Sequence, residues 1–271
     1  MLHLVDTIRP SRGAEGWLAI AAGNRFFDRW LALLSFFIHW ERRARAPLLD
    51  LALFRIPAFT LGNVARWISF ITMSVSILLM PFYLQFALGL DPLRAGFLVA
   101  PTPLAMALLA PVTGLMSERF AAEPLCAAGM AVSGSAFVLM SFLSAGSAYG
   151  EIIVCLGLIG IGMGLFQTPN NNLLMTSVPR HRLGVGSAFL SIVRSLGYSI
   201  GAALATTIVG AQLAATGNSS LQSFAKQLGT DSSDMGLAAF MRGFQLACLT
   251  AAVLCFLGAL ISAVRVSTES R

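Results

Sequence analysis

From about residue 57 to residue 264 the chain alternates between long apolar stretches and short polar loops. The stretches run over 57–88, 93–116, 122–145, 149–175, 184–214 and 239–264. A hydrocarbon core of about 30 Å is crossed by about 20 helical residues, and each of the six meets that length. Charge is scarce inside them, and they lack the period-two alternation of membrane strands. Helices are therefore the spanning solution that satisfies every backbone group. The pattern predicts an all-α, polytopic membrane bundle of six transmembrane helices.

One earlier segment departs from this pattern. Trp17 to Trp40 is apolar at both ends, but Asn24, Arg25, Asp28 and Arg29 interrupt its middle. Each charge adds about 2.5–3.5 kcal/mol to insertion at the bilayer centre, a cost that Asp28 partly offsets by pairing with either arginine. The reading stays open between a seventh span and a helix lying in the interface. Trp40 to Arg55, WERRARAPLLDLALFR, joins a basic cluster to an amphipathic stretch that suits a membrane surface, or serves only as a topology signal. The chain thus divides into an N-terminal segment, 1–56, and a six-helix unit, 57–271.

With 56% hydrophobic and 11% charged residues, the chain cannot clothe a water-soluble globule, so lipid is its solvent. The net charge of +6 would suggest nucleic acid in a soluble protein. Here the basic residues follow the loops instead. Arg42, Arg43, Arg45, Arg55, Arg119, Arg180, Arg182, Arg265 and Arg271 all fall on one side, which reads as cytoplasmic. The opposite loops carry Arg94, Lys226 and Arg242 beside Asp91, Glu151, Asp231 and Asp234.

Polar residues within spans are expensive and mark candidate sites. Arg194 lies about 15 Å into its span, with Ser187, Ser191 and Tyr198 at helical spacing on one face. That face is expected to line an interior, although an arginine bonded to carbonyls within the bundle is the structural alternative. Gln167, Asn170, Asn171 and Asn172 cluster near the end of another span, and Asn63 and Arg66 lie near the start of the first. These could bind cargo or gate a cavity; helix-end capping explains the asparagines almost as well. Tyr83 and Gln85 read as interfacial anchors. Small residues four apart, Gly160 with Gly164 and Gly197 with Gly201, predict close helix contacts.

Cys126, Cys155, Cys248 and Cys255 all lie in apolar spans and read as packing residues, with no metal-ligand spacing. No cofactor is expected. A membrane enzyme would need ionisable groups converging at one depth, whereas His3, His39 and His181 are scattered.

The run PLLDLALFR, the span end LLMPFYLQ and the loop LGLDPLRAGFLVAP closely resemble the start of the carboxy-terminal half of fourteen-span drug:proton antiporters, in the major facilitator superfamily. GLIGIGMGLFQTPNNN, SVPRHRLGVGSAF and VRSLGYSIGAAL resemble that half's fourth and fifth helices, so the likeness runs from about 50 to 271. A further hallmark is the loop after the second helix, where Gly114, Glu118 and Arg119 match in spacing. Ala121, Ala122 and Glu123 replace the family's second glycine and basic residues. The acid and arginine would act as a latch between access states.

This resemblance implies two inverted three-helix repeats, 57–145 and 149–264, and efflux of small lipophilic compounds by proton antiport in a bacterial inner membrane. It implies that the amino-terminal six-helix half, with its proton-coupling acids, is absent from this chain, so that half or a second copy is the expected partner. The rival reading is a membrane-embedded structural or regulatory fragment without transport of its own.

Overall fold

The computed structural model describes residues 57–119, 121–178, 183–214 and 234–269, and the side chains of all of these except 57, 58, 118, 119, 234 and 264–269. The segments 17–40 and 40–55 lie outside the described residues. Seven helices are present among them: α1 (Pro57–Phe86), α2 (Pro92–Val99), α3 (Pro101–Arg119), α4 (Ala122–Ser141), α5 (Tyr149–Thr176), α6 (Leu183–Ala214) and α7 (Asp234–Glu269). The helices α2 and α3 form one crossing, so six candidate spans result: Phe59–Phe86, Pro92–Ser117, Ala122–Ser141, Tyr149–Thr176, Leu183–Ala214 and Met235–Ala263. The all-α class and the six spans read from the sequence are those observed.

Local chemistry sets the helix ends. Gly89 has φ +64°, a left-handed conformation that side-chain-bearing residues adopt at a cost, and across it the Leu90 N–H reaches the Leu84 carbonyl at 3.1 Å. Asp91 then caps α2, its side chain accepting from the Arg94 N–H at 3.4 Å, with Pro92 in the first turn, where no backbone donor is needed. Between α2 and α3 the ladder breaks at Ala100, because Pro101 has no N–H to continue it. Pro81, Pro111 and Pro169 interrupt the ladders of α1, α3 and α5 in the same way.

The main core lies between α1, α4, α5 and α7 and is filled by large side chains that are essentially unexposed, among them Tyr83, Phe137, Phe166, Phe240 and Phe244. Partners are exchanged between the two parts of the chain: α6 packs on α1, while α3 packs on α5. Such interleaving is what two three-helix repeats with inverted topology produce. The four cysteines are buried, and no two of them form a disulfide.

Glycines permit the tightest crossings. A Cβ at Gly160 would strike the Thr102 carbonyl oxygen, and one at Gly201 would strike that of Ile71, so the first seats α3 on α5 and the second seats α6 on α1. A third crossing escaped sequence reasoning. Gly129 of α4 faces Gly162 of α5 so closely that a Cβ on the former would lie 2.6 Å from the Gly162 carbonyl oxygen.

Candidate functional site

The N-terminal half of α1, the C-terminal third of α5 and the N-terminal half of α6 meet at one end of the bundle, and most of the polar candidates meet there too. Asn63 is 5% exposed and donates to the Phe59 carbonyl at 2.9 Å, one turn back on α1. Its Oδ1 is buried without a hydrogen-bond partner. Arg66, 9% exposed, lies one turn further on. Its Nη1 donates to Asn171 Oδ1 of α5 at 3.3 Å, and its guanidinium carbon stands 5.2 Å from the centre of the Phe70 ring. Arg66 Nε is also buried without a partner.

Asn170 is buried and donates to the Gly62 carbonyl of α1 at 3.4 Å. Helix-end capping, the alternative reading of these asparagines, therefore fails for Asn170 and Asn171, which cross to α1. The helix ends at Ser177, whose Oγ donates to the Leu173 carbonyl. Asn172 is exposed and takes no part in the cluster.

Met73 joins the three helices. Gln167 Nε2 from α5 and the Tyr198 hydroxyl from α6 both point at its sulfur, each at 3.8 Å. The Tyr198 ring packs on Phe70 with centroids 5.4 Å apart, and Ser74 Oγ donates to the Tyr198 carbonyl at 2.7 Å. From Tyr198 an open groove of about 580 Å³ runs along the α1–α6 seam, walled by Ser74, Ile77, Pro81, Phe82 and Ala202. Phe70 and Met73 carry no polar signal of their own in the sequence. The buried hydroxyls Ser69, Thr72, Ser74 and Ser76, closely spaced within an apolar run, were the available signal.

Arg194 is exposed, on the α6 flank beside the buried stripe of Gly197 and Gly201. Among the described residues it has no hydrogen bond or ion pair, so the alternative of an arginine bonded to carbonyls inside the bundle is not what is seen. Tyr198 lies one turn further along α6. Ser191 is exposed and donates to the Ser187 carbonyl on its own helix at 3.1 Å. The structure thus joins Asn63, Arg66, Gln167, Asn170, Asn171 and Tyr198 around α1, sets Arg194 at the rim and leaves Ser191 apart.

The other candidates lie elsewhere. Gly160 and Gly164 face Thr102, Met106 and Leu109 of α3, and Gly197 and Gly201 face Trp67, Phe70, Ile71 and Ser74 of α1. Gly114 has open space around it, and the side chains of Glu118 and Arg119, on the last turn of α3, lie outside the described residues. No group of three or more His, Cys, Asp or Glu among the described residues is placed to hold a metal. Tyr83 corrects the interfacial-anchor reading: it is 0% exposed, and its hydroxyl donates to the Ser144 carbonyl at 2.7 Å.

Residues 9–202 match the family model described as Major Facilitator Superfamily. Among curated relatives, the chain is 40% identical over 169 residues to the uncharacterized transporter YebQ of Escherichia coli, a match covering 62% of this chain and 37% of the relative. It is 33% identical over 163 residues to the riboflavin transporter RibZ of Clostridioides difficile, covering 60% and 36%. With the multidrug resistance protein Stp of Mycobacterium tuberculosis the identity is 31% over 203 residues, covering 74% and 37%. The chain therefore spans little more than a third of the length of these relatives.

Proposed function

We propose that this chain, which belongs to the major facilitator superfamily, supplies the carboxy-terminal six-helix half of a carrier that expels small lipophilic compounds in exchange for protons. It acts as a multi-pass protein of a bacterial inner membrane, with the end of α1 that holds Asn63 facing the cytoplasm. The observation that carries the reading is the cluster of Arg66, Asn170 and Asn171, linked through Phe70 to Tyr198, which lines the apolar groove between α1 and α6. Polar groups of this kind orient a ligand while apolar walls hold its bulk. Relatives named as a riboflavin transporter and as a multidrug resistance protein support small molecules as the class of cargo.

Transport would proceed by rocking this half against a second six-helix half or another copy, with the site exposed first to one side and then to the other. Glu118 and Arg119 at the end of α3 would latch one of those states. Proton coupling would rest on carboxylates of the partner half, because Asp91, Glu123 and Glu151 all stand at or near helix starts.

Two experiments test this. Introduced cysteines at Ser117 and Ser220 should be protected from, and labelled by, an impermeant reagent in intact cells, respectively; the reverse pattern would overturn the orientation. In a pump-deficient host, a panel of anionic, neutral and cationic fluorescent lipophiles should be extruded in an uncoupler-sensitive way only when this chain is joined to a family amino-terminal half. Coupled extrusion by the 271-residue chain alone would overturn the need for an amino-terminal half and leave a second copy of this chain as the partner.

A further inference from the structure

Two arginines flank the site, and among the described residues neither pairs with a carboxylate; Gly197, three residues after Arg194, lies against Trp67 and Phe70 of α1, close to Arg66 along that helix. Arg66 sits over Phe70, the Phe70 ring packs against Tyr198, and Tyr198 is one turn along α6 from Arg194. Arg66 lies about 10 Å from the start of its span and Arg194 about 16 Å from the start of its own, at 1.5 Å per residue. Both spans start at the same end of the bundle, so the two charges share one region of depth. Among the described residues the only ion pair is Arg94 with Asp91, exposed on the loop and α2 at the opposite end of α1. Two like charges in apolar surroundings repel and are poorly solvated, and a shared anion relieves both costs. The unpartnered Arg66 Nε, on a residue more than nine-tenths buried, is a donor still waiting for an acceptor.

The surroundings define the rest of the ligand. The groove that begins at Tyr198 is walled mainly by Ile77, Leu78, Pro81, Phe82 and Ala202. A polar positive mouth therefore continues into an apolar trough. We infer that Arg66 and Arg194 form an anion subsite, and that the preferred cargo is an amphiphile with an anionic head, such as a carboxylate, at the arginines and an apolar body in the α1–α6 groove. This rests on the reading of the cluster as the cargo site and narrows its substrate class.

A binding measurement tests the inference apart from transport. The chain is placed in phosphatidylcholine nanodiscs and titrated with 11-(dansylamino)undecanoate and with its primary amide, which differ only in the charge of the head. Charge-assisted hydrogen bonds should favour the carboxylate by about tenfold or more. Arg66→Gln and Arg194→Gln should each reduce that preference, the double variant should abolish it, and Arg194→Lys should lose less of it than Arg194→Gln. Arg194 is exposed, so its variants remain informative even if Arg66→Gln fails to fold.

Equal affinity for the two probes, or a preference that Arg194→Gln leaves undiminished, overturns the subsite. A second arm separates cargo from lipid. Adding phosphatidylglycerol to the discs should leave carboxylate binding in place; displacement would assign the anion site to a membrane lipid and overturn the cargo assignment. Should the panel of lipophiles be extruded with no carboxylate preference in the discs, this inference fails while the carrier reading stands. A clear preference without extrusion by the joined halves would sink the carrier reading alone.

Discussion

The two ends of α1 are built on opposite principles. At its C-terminal end, Tyr83 stacks on Phe244 of α7 with centroids 4.9 Å apart, Phe86 meets Phe240 edge-on at 6.0 Å, and the Tyr83 hydroxyl closes on the loop carbonyl of Ser144. That loop is itself tied down, the Ser144 N–H donating to Ser147 Oγ at 3.0 Å. At its N-terminal end, Asn63 and Arg66 are almost as deeply buried, yet each keeps a polar atom without a partner. Burial alone does not separate the two ends; the completeness of hydrogen bonding does. A closed aromatic contact with its hydroxyl satisfied favours one fixed packing, whereas buried groups with spare capacity mark where water, cargo or another part of a carrier completes the structure.

Truncation at the closed end should have the largest effect on stability. Phe244→Ala removes the ring that stacks on Tyr83 and leaves a void in the core, so unfolding should become easier by about 3 kcal/mol. Thermal unfolding in detergent, followed by size-exclusion chromatography, reads this out. A loss below 1 kcal/mol would mean that the contact does not hold this end together.

The opposite end should respond in the opposite sense. Arg66→Met replaces an incompletely bonded guanidinium by an apolar chain, so stability should stay within about 1 kcal/mol of the parent or rise, while efflux by the joined halves falls sharply. Marked destabilisation with retained efflux would make Arg66 a structural residue and erase the contrast. The smallest change is Tyr83→Phe, which keeps the stacked ring and deletes only the bond to Ser144, for an expected loss of about 1 kcal/mol. A loss as large as that of Phe244→Ala would show that the hydroxyl, and not the ring packing, secures the closed end.

Much of the architecture could be read in advance, and the residues show why. The stretch 149–175 corresponds to the span Tyr149–Thr176, and 184–214 to Leu183–Ala214, because a membrane helix must be apolar for its whole crossing and polar where it leaves. The third stretch ran four residues too far: 122–145 ends as a helix at Ser141, and Phe142 to Leu143, although apolar, turn into the loop that receives Tyr83. Gly160, Gly164, Gly197 and Gly201 could be picked out by spacing, but not the partners they meet. The choice between capping and crossing for Asn170 and Asn171 depended on where α1 stands, a relation among residues more than a hundred positions apart.

The length and class of the six strong spans follow from the order of residues, since every backbone donor and acceptor in hydrocarbon must be satisfied within its own helix and only long apolar runs provide that. Which face of each helix turns inward was decided by the tertiary structure alone. In water, hydrophobicity separates the buried face from the exposed one; in lipid, both surroundings are apolar, and Leu108 at 75% exposure on α3 is chemically no different from Leu79 at 0% on α1. Close backbone approach at Gly160 and Gly201, and the search of polar groups such as Asn170 for partners, made that choice. Those contacts placed Arg66 against Asn171 of α5, left Arg194 at the rim, and drew Tyr83 into the core.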